Sequence, residues 1–86
     1  MNINELIAIV KNKLEREIAI QDLKIEDKSF LHKNHKGHQE GKFHLKIIIN
    51  SDELAKTSKV ASTKRIYSVL DLELKEYIHS IQILLN

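Results

Sequence analysis

The sequence predicts an α+β fold. It reads as a single small domain over residues 1–86, ordered helix-strand-strand-helix-helix-strand, with the helices on one face of a three-stranded sheet. A helical apolar stripe opens the chain, and alternating apolar residues mark the later extended segments. A basic segment of helical period lies ahead of the last of these. With 86 residues there is room for one modest core and none for a second domain.

The first helix is expected over residues 2–17. Ile3, Leu6, Ile7, Val10 and Leu14 form its apolar stripe, and Asn2 followed by Glu5 has the spacing of a capping box. From Ile18 the period changes: Ile18, Ile20, Leu23 and Ile25 suggest an extended segment ending near Asp27 to Ser29. Residues 28–42 lose all periodicity, contain both glycines, and read as a long polar loop carrying His32, His35 and His38. Phe43 to Ile49 is the clearest strand, with Phe43, Leu45, Ile47 and Ile49 on one face and His44, Lys46 and Ile48 on the other. It should pair with the preceding strand as an antiparallel hairpin. A second helix is expected over residues 58–70, with Val60, Ile66, Tyr67 and Leu70 inward and Lys59, Lys64 and Arg65 outward. A short third helix runs from Leu72 to about Tyr77, and Ile78 to Leu85 forms the last strand, with His79, Ile81, Ile83 and Leu85 assigned to one face.

Composition narrows the chemistry. Hydrophobic residues make up 42% and charged residues 30%, which suits a globular domain. Fourteen Lys and Arg against 12 Asp and Glu give a net charge of +2, far from the basic stripe of a dedicated nucleic-acid binder. The chain contains no Cys, so it can form no disulfide and supply no thiolate to a nucleophilic step or a metal cluster. Any metal argument rests on its five His. No apolar run approaches the roughly 18 residues of a membrane span, and residues 1–20 lack the apolar core of a signal peptide. The expectation is a cytoplasmic protein with no membrane partner, either a monomer or a weak homodimer. No Ser–His–Asp spacing and no paired carboxylates point to an enzyme.

Three ordered patterns resemble the BolA family. Asp27-Lys-Ser-Phe-Leu-His32-Lys-Asn-His35 is similar to the family's Asn-Glu-Ser-His-x-His-x-Gly-His. His44-Leu-Lys-Ile-Ile-Ile-Asn-Ser51 resembles Ser-His-Phe-Lys followed by an apolar run ending in Ser. Tyr77-Ile-His79-Ser-Ile-Gln-Ile is similar to Ile-His-Ala-Leu at the start of the last strand. Between them, Lys64-Arg-Ile-Tyr67-Ser-Val-Leu70 fits a helix that usually reads Arg-His-Arg-x-Val-Tyr-x-x-Leu. The chain departs from the pattern at Ser62 and Thr63, where the family normally has Arg and His, at Phe30 in place of a His, and at Asn34 in place of a Gly.

The resemblance implies a fold like the type II KH domain. It also implies a monothiol glutaredoxin as partner, and a 2Fe–2S cluster shared with that glutaredoxin and with glutathione rather than bound by the isolated chain. Histidine can replace Cys on one iron of such a cluster, so a chain without Cys would supply the nitrogen half. His79 and His32 are the ligands this implies, with His35 as the alternative from the loop. A second reading follows from the KH-like fold: a nucleic-acid-binding regulator of transcription, stress or morphology, using Lys59, Lys64 and Arg65. Against it, Gly37 and Gly41 are one residue too far apart for the Gly-x-x-Gly loop by which KH domains grip a backbone. Two Phe and two Tyr also offer few stacking platforms. A third reading is a His-rich loop that takes up zinc or copper adventitiously.

Overall fold

The computed structural model describes residues 1–29 and 42–86. Helix α1 spans Ile3–Glu17, strand β1 Asp22–Asp27, strand β2 Phe43–Asn50, helix α2 Asp52–Ala55, helix α3 Lys59–Val69, helix α4 Asp71–Glu76 and strand β3 Ile78–Leu85. The sheet order is β1-β2-β3, with β1 antiparallel to β2 and β3 parallel to it. The expected hairpin and α+β architecture are therefore present. The long loop read over residues 28–42 falls mostly outside the described residues.

Helix α1 starts where the Asn2–Glu5 spacing places it. Asn2 Oδ1 accepts from the Glu5 backbone N–H at 2.8 Å, and the Asn2 amide donates to Glu5 Oε1 at 3.0 Å. Both contacts hold the first turn, where backbone N–H groups lack partners within the helix. Leu6, Val10 and Leu14 of this helix are fully buried. They pack with Ile66 and Leu70, with Leu54 of α2, and with Leu45, Ile47 and Ile49 of β2 in one core. All three β2 residues point to the helical side, as the alternation requires. Leu23 and Ile25 of β1 lie opposite Ile49 and Ile47 and extend that side.

Several expectations change. Ile18 is the C-cap of α1, not strand; it is 2% exposed and its N–H donates to Leu14 O. Helix α2 was not expected, because four residues are too few to show a period. Ser51 caps it: its Oγ accepts from the Leu54 N–H at 3.1 Å and donates to Ala19 O at 2.7 Å, tying the helix to the segment ahead of β1. In α3 the assigned inward stripe is only half right. Ile66 and the cap residue Leu70 are buried, but Val60 and Tyr67 are 65% and 43% exposed. The buried position is Ser62, at 1% exposure, whose hydroxyl bonds Leu54 O at 3.1 Å and pairs with Thr57 Oγ1 at 2.7 Å. A polar side chain tolerates that burial because its hydroxyl is satisfied.

Candidate functional site

The elements converge at the N-terminal ends of β2 and β3. Strand β2 pairs Phe43 with Ile78, but His44 with Ser80, so β3 holds one extra residue there and the register shifts. That residue is His79. The irregularity has the effect of a β-bulge, which re-aims a side chain and breaks strict alternation. Ile81, Ile83 and Leu85 remain on the helical side opposite Leu45, Ile47 and Ile49. His79 does not share their environment; it is exposed, and this corrects its assignment to their face. It lies against His44, with ring centroids 4.9 Å apart and ring planes at 50°.

His44 is the better-held member of the pair. It is 6% exposed although its strand face is the one away from the helices. Its Nδ1 lies 2.6 Å from Ser80 Oγ, and either atom can be the donor, depending on the imidazole tautomer. Its backbone N–H donates to Ser29 Oγ at 3.0 Å, and its carbonyl accepts from the Lys28 N–H at 2.7 Å. Ser29 is itself fixed by its N–H, which donates to Asp27 Oδ1 at 2.9 Å. The end of the hairpin is thus stitched to His44, and through Ser80 to β3. A depression of about 370 Å³ beside this pair is lined by Lys28, His44, Lys46, Ser80 and Gln82 among others. On the same face Glu26 sits among cations. Burial pushes its carboxyl up, but the hydrogen bond from Lys24 and the charges of Lys28, Lys24 and Lys46 outweigh that and hold it below its ordinary value.

His32 and His35 lie outside the described residues, so of the expected ligands only His79 has a described environment. Among the described residues no group of three or more His, Cys, Asp or Glu could hold a metal ion. They bring together two imidazoles, and a complete coordination sphere needs donors from elsewhere. Sequence reasoning missed Ser80, and it missed His44 as the packing partner of His79. Both depend on a parallel register between segments more than 30 residues apart, and no local period reports that.

The basic residues of α3 separate into two kinds. Lys59 and Lys64 are exposed and border a depression of about 440 Å³ with Val60, Thr63 and Tyr67. Arg65 is engaged at home: it pairs with Glu53, and its Nη2 donates to Glu17 O at 2.7 Å. That bond satisfies a carbonyl at the C-terminal end of α1, where cations are favoured. No helix among the described residues is long and apolar enough to cross a membrane.

Comparison with known proteins gives a consistent family. A family model described as BolA-like protein matches residues 14–86. The protein of Haemophilus influenzae named DNA-binding transcriptional regulator BolA is 33% identical over 73 residues, covering 85% of this chain and 68% of that protein. The BolA domain of SufE1 from Arabidopsis thaliana aligns with a TM-score of 0.79 at 29% identity, over 100% of this chain and 93% of that one. BolA1 from Arabidopsis thaliana has a similar fold, with a TM-score of 0.77 at 24% identity, over 91% and 86% of the two chains.

Proposed function

The chain belongs to the BolA-like family, and on that footing we propose that it is a non-enzymatic accessory protein that binds a monothiol glutaredoxin. In this reading it donates imidazole to a 2Fe–2S cluster shared with that partner and glutathione, in cluster assembly, trafficking or iron homeostasis. The observation that carries the reading is the exposed imidazole of His79, set out of the alternation by the bulge and backed by the buried, hydrogen-bonded His44. A ligand needs an accessible nitrogen and a fixed direction; the register shift provides the first and the packing against His44 the second.

The donor set agrees with a half-share in such a site. The chain has no Cys, so every thiolate would come from outside it. The described residues offer no complete metal site of their own. When bound, the cluster would supply the redox and sulfur chemistry. The protein's part is to present His79, with His32 or His35 as second donor, and to exclude water around it. Titrating the protein into a cluster-loaded monothiol glutaredoxin, followed by visible absorption and circular dichroism, tests this. The wild type should change the cluster spectrum and His79→Ala should not; an unchanged spectrum with wild type removes the reading.

The second reading, a nucleic-acid-binding regulator, is favoured by the name carried by the Haemophilus relative. Here it would use the exposed Lys59 and Lys64. It predicts duplex binding that weakens steeply as salt rises.

A further inference from the structure

The parallel register that sets His79 out of line also places Ser80 directly across from His44. The pattern this stretch resembles reads Ile-His-Ala-Leu, whereas here Ile78 and His79 are followed by Ser80 and Ile81. A hydroxyl therefore stands where that pattern has a methyl group, and its oxygen lies 2.6 Å from Nδ1 of the His44 ring. His44 is buried, so its ring nitrogen needs such a partner. The contact also chooses between two ring orientations. Rotation of an imidazole about its last side-chain torsion has two broad wells about 180° apart. In one, Nδ1 faces Ser80 Oγ; in the other, a ring carbon would, and only the first allows a hydrogen bond. A bond between uncharged groups is enough to favour that orientation by a factor of roughly five. The backbone of the same residue is fixed by Ser29, whose Oγ accepts from the His44 N–H at 3.0 Å. Ring and backbone of His44 are thus both held.

We propose that Ser80 is a positioning residue for His79, acting through His44: its hydroxyl locks the His44 ring, and the locked ring confines the His79 imidazole to one rotamer. The inference rests on the reading of His79 as a ligand, and it names the side chain that gives the ligand its direction. An exposed side chain otherwise changes rotamer on the picosecond to nanosecond scale. His79 is exposed, and its ring packs against that of His44 at 4.9 Å with the planes tilted by 50°. A neighbour free to flip makes a poor wall, because the atoms it presents change with every flip. Held at Nδ1, His44 presents one edge. Residues that orient a metal ligand from one layer out commonly change affinity by tenfold or more when removed. Ser80 acts from one layer further out, so its removal should weaken the cluster complex about three- to tenfold.

Two substitutions of the same shape separate the hydroxyl from the bulk of the side chain. Ser80→Thr keeps the hydroxyl, Ser80→Val puts a methyl group in its place, and both suit a strand. Nuclear magnetic resonance of the full chain reads the outcome without partner or cluster. Side-chain couplings of His79 give its rotamer populations, and ring nitrogen shifts of His44 give its tautomer. Wild type and Ser80→Thr should show one dominant His79 rotamer and one His44 tautomer. Ser80→Val should show averaged His79 couplings and a mixture of His44 tautomers, with the backbone shifts of the rest of the sheet preserved. His79 couplings that are the same in Ser80→Val and Ser80→Thr overturn the proposal, whatever the two changes do to stability. Titration against cluster-loaded monothiol glutaredoxin is the second readout: Ser80→Val should bind about three- to tenfold more weakly and Ser80→Thr like the wild type. Averaged couplings with unchanged affinity also overturn the proposal. A wild type that leaves the cluster untouched removes the ligand reading, and the His79 couplings then still decide whether Ser80 orients the ring.

Discussion

The ring of His44 packs 4.9 Å from the ring of His79, centroid to centroid, and the two imidazoles have opposite standing: one is 6% exposed and bonded to Ser80, the other open to solvent. This contrast fits His44 to a structural role and leaves the His79 ring accessible for the binding role proposed for it.

The first prediction follows from that separation. Replacing His44 by Ala removes a buried, hydrogen-bonded ring and should cost about 1–3 kcal/mol. Replacing His79 by Ala should change stability by no more than about 0.5 kcal/mol. Urea denaturation of the two variants beside the wild type measures both, and equal costs would contradict the assignment.

A second concerns Glu73, a residue that sequence reading passed over. Its carboxylate is buried at 3% exposure and accepts from Lys13 Nζ at 2.7 Å, joining α4 to α1. Lys13→Met should cost about 2–3 kcal/mol, because it leaves a buried charge without its cation. The double change Lys13→Met with Glu73→Leu should recover much of the loss. A double-mutant cycle measures the coupling, and additive losses would show that the pair is incidental.

Arg65 and Lys64, adjacent in sequence, should behave differently. Arg65→Ala deprives Glu17 O of its donor and should destabilise the fold by about 1 kcal/mol. Lys64→Ala should be neutral to within about 0.5 kcal/mol. If the nucleic-acid reading holds, Lys59→Ala and Lys64→Ala should each reduce the salt slope of duplex binding by about one. Thermal melts and salt-dependent binding isotherms check the two halves of this statement.

The fourth prediction is a pH effect at Glu26. Its carboxyl titrates below the ordinary value of 4.5 in the folded protein. A depressed carboxylate contributes stability that is complete above the unfolded value and is lost as pH falls through the folded one. The stability difference between wild type and Glu26→Gln should therefore be flat above pH 4.5 and shrink below it. A difference that stays constant through that range would show that the surrounding Lys24, Lys28 and Lys46 do not act on Glu26.

Much of the fold was legible in local periodicity. Leu6, Val10 and Leu14 on one helix and Leu45, Ile47 and Ile49 on one strand are buried as their spacing requires. What local pattern could not show depends on partners distant in sequence. Ser62 is buried because Leu54 and Thr57 satisfy its hydroxyl. His79 leaves the apolar face because β2 and β3 lose register between Phe43 and His44. Strict alternation along β3 placed His79 with Ile81, and a single extra residue undoes that inference. Arg65 likewise resembled Lys59 and Lys64 in sequence, but its side chain is held by Glu53 and the end of α1.

If His79 gives its imidazole nitrogen to a cluster held jointly with a glutaredoxin, as proposed, that nitrogen must couple to the unpaired electron of the reduced cluster. Pulsed electron paramagnetic resonance of the reduced mixed complex tests it most directly, with the protein isotopically labelled at its His ring nitrogens. Strong nitrogen couplings from directly bound imidazole are expected, with the coupling assigned to His79 absent in His79→Ala. A complex that forms and shows no such coupling, or one unaltered by His79→Ala, would contradict it.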